Sequence, residues 1–278
     1  MPTTVGGMTT PPPPSPEAHQ RRNVAESFGT DAERYDRARP RYPAELVSRV
    51  MAGSADREVL DIGCGTGIVA RQFQAAGCRV LGVDPDARMA EQARRSGVEV
   101  EVARIEEWDP AGRRFDAAVA GQAWHWVDPV AGAAAAARAL RPGGRLALFW
   151  NAFQAPPDLS AAFSAALRRA LPDSPFRLPD QARAAAEVYL AGFGKVEDGL
   201  REAGGFGAPE RWRFEWEWTY TRDAWLDQMP TIGALTTAPP EVVAQVLAEA
   251  GTAIDAAGGS FTAQYTTVVL TAVRAAAT

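Results

Sequence analysis

The sequence has little of what several classes of protein require. Only two of its 278 residues are cysteines, Cys64 and Cys78, and their spacing fits neither a disulfide framework nor a Cys-x-x-Cys pair. No apolar run is long enough to cross a bilayer, and the first residues lack the basic and apolar regions of a secretion signal. These absences predict a cytoplasmic protein that is neither secreted nor inserted into a membrane.

An excess of positive charge is also missing. The formal net charge is −5, whereas a protein that neutralises many phosphates carries a basic surface. No group of His, Cys, Asp and Glu residues has the spacing of metal ligands. We therefore predict no nucleic-acid partner and no metal. With 46% hydrophobic and 23% charged residues, the composition is that of a globular protein with a sizeable core.

Proline marks off the first part of the chain. Residues 1–22 contain the run Pro11 to Pro14, followed by Ser15 and Pro16, which cannot form the interior of a helix or strand. We predict a disordered tail there and a single domain over residues 23–278. Within that domain we expect a core at 44–151, a cap insertion at 152–210 and C-terminal strands and helices at 211–274.

Short apolar segments alternate with helical ones through the core. Strands are predicted at 59–62, 79–83, 98–103, 115–120 and 145–150, with helices at 44–51, 68–76, 89–96 and 130–140. Val-, Leu- and Ala-rich strands separated by helices are typical of a parallel sheet covered by helices on both faces. This pattern predicts an α/β, Rossmann-like fold.

The rhythm changes after residue 151. Helical segments at 159–171 and 180–190 precede a strand at 212–220, and a helical stretch at 223–256 precedes a last strand at 262–274. A tight turn at Gly258-Gly259 leads into that last strand. We predict a mostly parallel seven-stranded sheet with an antiparallel C-terminal edge and a helical cap insertion that covers the substrate.

The most informative segment follows the first strand, where Gly63, Gly65 and Gly67 alternate before a helix. Glycines let the backbone approach a ligand closely, and the N–H groups of the helix N-terminus are free to bind it. The same residues also satisfy the dinucleotide pattern Gly-x-Gly-x-x-Ala, and Asp84 would bind ribose hydroxyls in either case. Spacing alone leaves the two kinds of cofactor open.

Asp61 helps to choose between them. It lies at the end of the first strand, two residues before Gly63. A carboxylate there would repel the pyrophosphate of a dinucleotide, but it suits a ligand with a cationic amino acid end. The alternative is that Asp61 only orders the loop through backbone hydrogen bonds.

Several separate motifs now resemble one family, the class I S-adenosylmethionine-dependent methyltransferases, and within it the menaquinone/ubiquinone-type and trans-aconitate-type branch. The motifs are Asp61-Ile62-Gly63-Cys64-Gly65-Thr66-Gly67, Asp84, Phe115-Asp116, Leu140-Arg141-Pro142-Gly143-Gly144 and Tyr35-Asp36-x-x-Arg39-Pro40-x-Tyr42-Pro43. They cover roughly residues 24–151. The resemblance implies S-adenosyl-L-methionine as cofactor, S-adenosyl-L-homocysteine as product and a small molecule as acceptor.

The resemblance also implies where the cofactor binds. The methionine portion would lie on the glycine loop, and the ribose would lie on the end of the second strand. The candidate residues are Asp61, Gly63, Cys64, Gly65, Asp84, Pro85, Ile105, Glu106, Gln122, Tyr35 and Arg39. The chain departs from the family pattern after the third strand, where Ala103-Arg104-Ile105-Glu106 stands in place of an acidic pair, so Ile105 and Glu106 are assigned to adenine by position alone.

Methyl transfer needs positioning more than an elaborate set of catalytic groups, although a base helps when the attacking atom must lose a proton. His125, just past the fourth strand, is the candidate base, with a structural role as the alternative. The candidate acceptor-binding residues are Tyr42, Trp124, Trp126, Trp150, Asn151 and Thr231. We expect oxygen as the acceptor atom, with carbon and nitrogen as the alternatives.

Two other functions remain open from the sequence. A protein could bind S-adenosylmethionine without methylating anything, as a regulatory subunit does. A nicotinamide-dependent oxidoreductase shares the glycine loop, although Asp61 and the Pro142-Gly143-Gly144 motif argue against it.

Overall fold

The computed structural model describes residues 27–172, 182–233 and 235–276, and the tail predicted at residues 1–22 lies outside them. The described residues form a seven-stranded sheet. Its strands are β1 (Glu58–Ile62), β2 (Arg79–Asp84), β3 (Glu99–Val102), β4 (Phe115–Gly121), β5 (Leu140–Gln154), β6 (Glu210–Thr221) and β7 (Ser260–Val273). The helices are α1 (Ala32–Ala38), α2 (Ala44–Val50), α3 (Ile68–Ala75), α4 (Ala87–Arg95), α5 (Pro129–Ala139), α6 (Pro157–Ala170), α7 (Ala182–Ala203), α8 (Arg222–Gln228) and α9 (Pro240–Ala256).

The strand order is β3-β2-β1-β4-β5-β7-β6. Strands β1 to β5 pair in parallel, whereas β7 runs antiparallel to both β5 and β6. The predicted fold class, a mostly parallel sheet with an antiparallel C-terminal edge, is confirmed. Strand order reverses at β1 and β4, which is where open α/β sheets bind their ligands.

Helices cover both faces of the sheet. One apolar core joins α5 and α7 to the sheet and includes Leu60, Leu148 and Phe193. The other joins α2, α3 and α4 to the opposite face and includes Leu46 and Phe73. Strands β1, β2 and β4 are buried on both sides, which explains why they are apolar without alternation, whereas the edge strand β3 alternates Glu and Val.

A third core lies beneath the C-terminal half. Aromatic residues of β6, β7 and α8 pack there with α6 and α9, and Trp225 stacks on Phe153 with ring centroids 4.7 Å apart. The hydroxyl groups of Tyr220 and Tyr265 are 2.6 Å apart in this core. This packing anchors the antiparallel edge.

The structure differs from the sequence prediction in two places. The helix predicted at 223–256 is broken by the 3₁₀ turn Met229–Thr231 and restarts at α9, whose first residue is Pro240. Of the predicted cap, α6 packs against α9, and α7 packs against α5 and the sheet. Only Tyr189, among the described residues of these two helices, reaches the cavity described below.

No helix within the described ranges is both long and apolar enough to cross a membrane.

Candidate cofactor and acceptor site

A cavity of about 440 Å³ opens at the carboxyl ends of the parallel strands. Its walls come from the loops after β1, β2, β3 and β4, from the end of β5, from the segment 28–42 and from α7. Because the carboxyl ends of neighbouring parallel strands meet at one edge, residues distant in sequence converge here. The cavity is within the size range of small-molecule sites.

The glycine loop forms the floor of the cavity. Gly63 and Gly65 have φ angles of +65° and +55°, a region that residues with a side chain avoid. A Cβ atom on Gly63 would lie 2.6 Å from the Cβ of Ala123 in the loop after β4. The backbone of Gly63 therefore has to be bare for the two loops to come together.

Asp84 ends β2 beside this floor. Its two carboxylate oxygens accept the N–H groups of Gly65 at 2.8 Å and Asp86 at 2.9 Å. Burial raises the pKa of Asp84 to about 6. One lone pair remains on each oxygen, so the carboxylate can accept two further hydrogen bonds from a ligand in the cavity.

Asp61 lies under the glycine loop, fully buried, at the end of β1. Neither of its carboxylate oxygens has a hydrogen bond among the described residues, although the backbone of Ala70 is close enough to lower its pKa slightly. Burial prevails and raises the pKa of Asp61 to about 8. A buried carboxylate without a partner is costly, and a cation placed nearby would offset that cost.

The loop after β3 forms the wall next to Asp84. Ile105 is buried. Arg104, Ile105 and Glu106 all line the cavity. Glu106 accepts the backbone N–H of Asp128 at 3.0 Å, and Arg104 is within 3.4 Å of the same carboxylate. This wall combines an apolar face with a carboxylate that is already engaged.

The loop after β4 forms the opposite wall. Gln122 adopts a φ of +55°, its N–H donates to Phe149, and its amide contacts both the Asn151 carbonyl, at 3.2 Å, and the Tyr189 hydroxyl. A non-glycine residue in the left-handed region is uncommon and is held there by its surroundings. These bonds fix how the loop leaves β4.

His125 follows on the same loop and faces the cavity. The indole Nε1 of Trp150 donates to its Nδ1 at 3.2 Å. Trp126 lies against the imidazole with ring centroids 4.7 Å apart. Although the residue is exposed to the open cavity, desolvation by the surrounding protein atoms lowers the pKa of His125 to about 4, so the ring is neutral at pH 7.

The segment before α2 closes the cavity from above. The guanidinium of Arg39 lies 4.8 Å from the centre of the Tyr35 ring and donates to the carbonyl of Thr231. Phe28 packs edge-on against both Tyr35 and Trp126. The ring of Tyr42 packs on Phe149 with centroids 4.7 Å apart.

Ion pairs hold this segment in place. Arg37 contacts both carboxylate oxygens of Asp227 on α8 at 2.9 Å, and Asp36 pairs with Arg71 on α3 at 2.5 Å. These ion pairs tie the segment before α2 to both halves of the chain.

Most of the sequence-predicted site residues line one cavity. They are His125, Gly63, Cys64, Gly65, Asp84, Pro85, Ile105, Glu106, Gln122, Tyr35, Arg39, Tyr42, Trp126 and Asn151. Four others lie just behind its surface: Asp61, Trp124, Trp150 and Thr231. Trp124 is buried in the core, Trp150 contacts His125, and the hydroxyl of Thr231 donates to Gln228.

Sequence reasoning missed other lining residues. They include Phe28, Met89, Arg104 and Tyr189. The sequence shows that Phe28 is an aromatic residue near the other candidates, but no local pattern distinguishes Tyr189 from other residues of a helix. Its position depends on how α7 packs against α5.

Among the described residues, no group of three or more His, Cys, Asp or Glu side chains could hold a metal ion.

Comparisons with known proteins agree with this architecture. A family model described as a methyltransferase domain matches residues 35–174, half of the chain. An uncharacterized methyltransferase of Mycobacterium tuberculosis (strain ATCC 25618 / H37Rv) is 40% identical over 134 residues, which are 47% of this chain and 54% of that relative. The chain thus spans about half the length of this relative.

Two further similarities cover more of the chain. A malonyl-[acyl-carrier protein] O-methyltransferase of Enterobacter lignolyticus is 33% identical over 175 residues, 61% of this chain and 67% of that relative. A solved structure from Anaeromyxobacter dehalogenans, provisionally assigned as a type II methyltransferase, is 28% identical with a TM-score of 0.62 and covers 84% of this chain and 97% of its own. Residues 35–174, which the family model matches, include the glycine loop, Asp84 and the loop after β4.

Proposed function

Because this chain belongs to the family of proteins with a methyltransferase domain, we propose that it transfers the methyl group of S-adenosylmethionine to an oxygen atom of a small molecule. The product of the cofactor would be S-adenosylhomocysteine. The site offers one cavity of about 440 Å³, which is within the size range of small-molecule sites.

The buried carboxylate of Asp61 is the observation that carries this proposal. It has no hydrogen-bond partner among the described residues and lies directly under the glycine loop. The pyrophosphate of a nicotinamide cofactor would bring two negative charges to this point and would oppose ionisation of Asp61. S-adenosylmethionine instead brings an ammonium group and a sulfonium, and their positive charges compensate the buried carboxylate.

The other lining residues fit the remaining parts of the cofactor. Asp84 has free lone pairs for the ribose hydroxyls, with Pro85 beside it, and Ile105 and Glu106 would contact the adenine. Gly63, Cys64 and Gly65 would hold the methionine portion against the loop. Gln122, Tyr35 and Arg39 would close over its end, with the Arg39 guanidinium facing the carboxylate.

The acceptor would bind on the other side of the cavity, against Tyr42, Trp126 and Asn151. Trp124, Trp150 and Thr231 would support these walls from behind. The cofactor supplies a methyl group already activated by the positive sulfur. The chain's own contribution is to hold the acceptor in line with that group and to exclude water.

The proposal is tested by ligand binding followed by product analysis. S-adenosylmethionine and S-adenosylhomocysteine should each raise the melting temperature of the protein, and NAD and NADP should leave it unchanged, because only a ligand of the folded state stabilises it. Release of S-adenosylhomocysteine in the presence of an acceptor would then demonstrate transfer. Stabilisation by a nicotinamide cofactor alone would overturn the proposal.

Asp61 gives this proposal a pH signature. Its pKa of about 8 in the ligand-free protein means that it is mostly protonated at pH 7, and a cationic ligand should lower that pKa. Binding of S-adenosylmethionine at pH 7 should therefore release about one proton per site. Asp84, with a pKa of about 6, is mostly ionised at that pH and adds little.

Calorimetric titration in two buffers with different ionisation enthalpies measures this proton release. The observed binding enthalpy should differ between the buffers for the native protein. Asp61→Asn should bind more weakly and show no difference, because its side chain cannot lose the proton. An identical enthalpy in both buffers for the native protein would contradict the assigned role of Asp61.

A further inference from the structure

Strand β6 leaves one long edge of the sheet without a partner. Among the described residues it pairs only with β7, along its whole length from Glu210 to Thr221. Open edges of this length pair readily with other strands, so proteins usually shorten them, cover them or place repelling charges on them. The opposite edge follows that rule, because β3 has four residues and carries Glu99 and Glu101, so that two copies of it would repel each other.

The backbone of β6 offers hydrogen bonds on its outer side. The N–H of Arg222, the residue after the strand, donates to the carbonyl of Gly259 at 2.9 Å. Bonded pairs recur at every second residue of an antiparallel ladder, and the register with β7 has no shift from Glu210 to Thr221. The even-numbered residues of β6 therefore bond to β7, and the odd-numbered residues direct their N–H and C=O groups away from it.

The odd-numbered side chains of β6 carry charge in a fixed order. Four of them are exposed and charged, and along the chain they are Arg211, Arg213, Glu215 and Glu217. Arg211 pairs with Glu197 on α7 at 2.6 Å, and Arg213 pairs with Glu215 of its own strand at 3.2 Å. Both arginine side chains remain about half-exposed, so each can contact a further carboxylate. Two positive residues followed by two negative ones are complementary to the same four residues read in the opposite direction.

One antiparallel register pairs all of these charges between two copies of β6. With a two-fold axis at Phe214, Arg211 lies opposite Glu217 of the second copy, and Arg213 lies opposite its Glu215. All four are odd-numbered, so each opposing pair would exchange two backbone hydrogen bonds. Moving the axis by one residue in either direction places like charges opposite each other, which destabilises a strand pair.

The other face of β6 supports the same register. The indole of Trp218 is about half-exposed, which few large apolar side chains of the described residues are. With the axis at Phe214, Trp218 lies opposite Glu210 of the second copy, and Trp212 lies opposite its Trp216. These even-numbered positions form non-hydrogen-bonded pairs, in which opposing side chains lie closest. Pairing would therefore cover an indole that a single chain leaves in water.

From this arrangement we propose that two copies of this chain pair through the outer edges of β6, antiparallel and centred on Phe214, and form a homodimer with one continuous sheet. A two-fold interface requires a surface that is complementary to itself, and the order Arg-Arg-Glu-Glu along this edge meets that requirement. The inference does not depend on the cofactor or on the reaction. Its test and the test of the proposed function therefore succeed or fail separately.

Sedimentation of the full-length protein tests the association. The native chain should sediment at twice the mass of one copy. Glu215→Arg combined with Glu217→Arg makes the edge wholly positive and leaves the ion pair between α7 and Arg211 in place. This variant should raise the dissociation constant at least ~100-fold, because every attractive pair across the axis becomes a repulsive one. The control Glu99→Arg with Glu107→Arg makes the same change in net charge at and beside β3, and it should stay dimeric. A native monomer, or a dimer that the reversed charges on β6 leave intact, overturns the proposal.

A complementary pair of variants tests the register. Arg211→Glu with Arg213→Glu makes the edge wholly negative and should be monomeric by itself. Mixed with the positive variant, Glu215→Arg with Glu217→Arg, it should form a heterodimer. Reversing all four charges in one chain restores a self-complementary order and should restore the homodimer. Recovery would also show that the variants are folded. If neither the mixture nor the fourfold variant associates, the assigned register is wrong.

Amide hydrogen exchange shows whether the strand edge itself is the interface. In the native dimer, the N–H groups of residues 213 and 215 should exchange slowly, because they would donate to the second copy. In the wholly positive variant the same two groups should exchange rapidly. The N–H groups of residues 212 and 214 bond to β7 and should stay protected in both proteins. Rapid exchange at residues 213 and 215 in a native dimer would place the interface elsewhere and overturn the proposal.

Discussion

Asp84→Ala should lower the affinity for S-adenosylhomocysteine at least ~100-fold, since hydrogen bonds to a charged group contribute about 1.5–3 kcal/mol each. The carboxylate would accept the ribose hydroxyls, and it already accepts the N–H groups of Gly65 and Asp86, which shape the floor of the cavity. Its loss removes the ligand contacts and the support of the loop together. Calorimetric titration gives the affinity directly.

Two variants separate these contributions. Asp84→Asn keeps one accepting oxygen and should fall between the native protein and Asp84→Ala. Asp116→Ala removes another largely buried carboxylate, which lies at the start of β4 and does not line the cavity. It accepts the N–H of Glu58 and pairs with Arg141. Asp116→Ala should lower the melting temperature and leave the affinity unchanged. Native affinity in Asp84→Ala would remove Asp84 from the cofactor site.

Gly63→Ala should both destabilise the protein and abolish detectable cofactor binding. The methyl group would lie 2.6 Å from the Cβ of Ala123, and the φ of +65° costs a residue with a side chain about 1–2 kcal/mol. The glycine loop must shift to relieve the contact, and with it the floor of the cavity. The melting temperature and the affinity for S-adenosylhomocysteine measure the two effects.

The neighbouring residue and a distant glycine provide the controls. Adding Ala123→Gly to Gly63→Ala removes the atom that clashes, so the double variant should recover part of the melting temperature. Gly112 has a similar φ of +81°, and a Cβ atom added to it would have no other atom within 4 Å. Gly112→Ala should therefore show the cost of the φ angle alone, without any change in affinity. If Ala123→Gly gave no recovery, the close approach of the two loops would not be the cause.

Local sequence predicted the elements whose partners lie close in the chain. Strands β1 to β4 and helices α3 to α5 fall within a few residues of their predicted bounds, because each is short and bounded by glycine or by an acidic residue. The methyltransferase family inferred from the motifs is also confirmed by the family match.

Distant partners set the elements that were predicted less well. Strand β5 extends to Gln154 because it pairs with β7 from Arg145 onward, and that partner lies more than a hundred residues away. Helix α7 continues to Ala203 through Gly199, where a Cβ would come within 2.7 Å of the Pro129 carbonyl. This close contact with α5 favours a helix that the glycines of the segment discourage.

The site residues divide in the same way, into those that local sequence predicts and those that distant packing places. The residues on strand ends, such as Gly63, Asp84 and Gln122, could be predicted because a motif and a strand boundary place them. Tyr189 could not, because it reaches the cavity through tertiary packing alone. The bond from Trp150 to His125 joins residues that are 25 positions apart, and no pattern in the sequence pairs them. Their roles in binding and catalysis stay predictions.

Strand β7 lies between β5 and β6, although it follows both of them in the chain. During synthesis, β6 has no neighbour in the sheet until β7 emerges, and the exposed edge of β5 stays open for the same time. That edge carries Asn151, whose side chain accepts the hydroxyl of Thr267 from β7 at 2.6 Å and completes one wall of the cavity. A message cut short before residue 260 would thus yield a chain with two open strand edges, prone to pair with other copies of itself. Such a truncation should be found among insoluble material rather than as a less active enzyme.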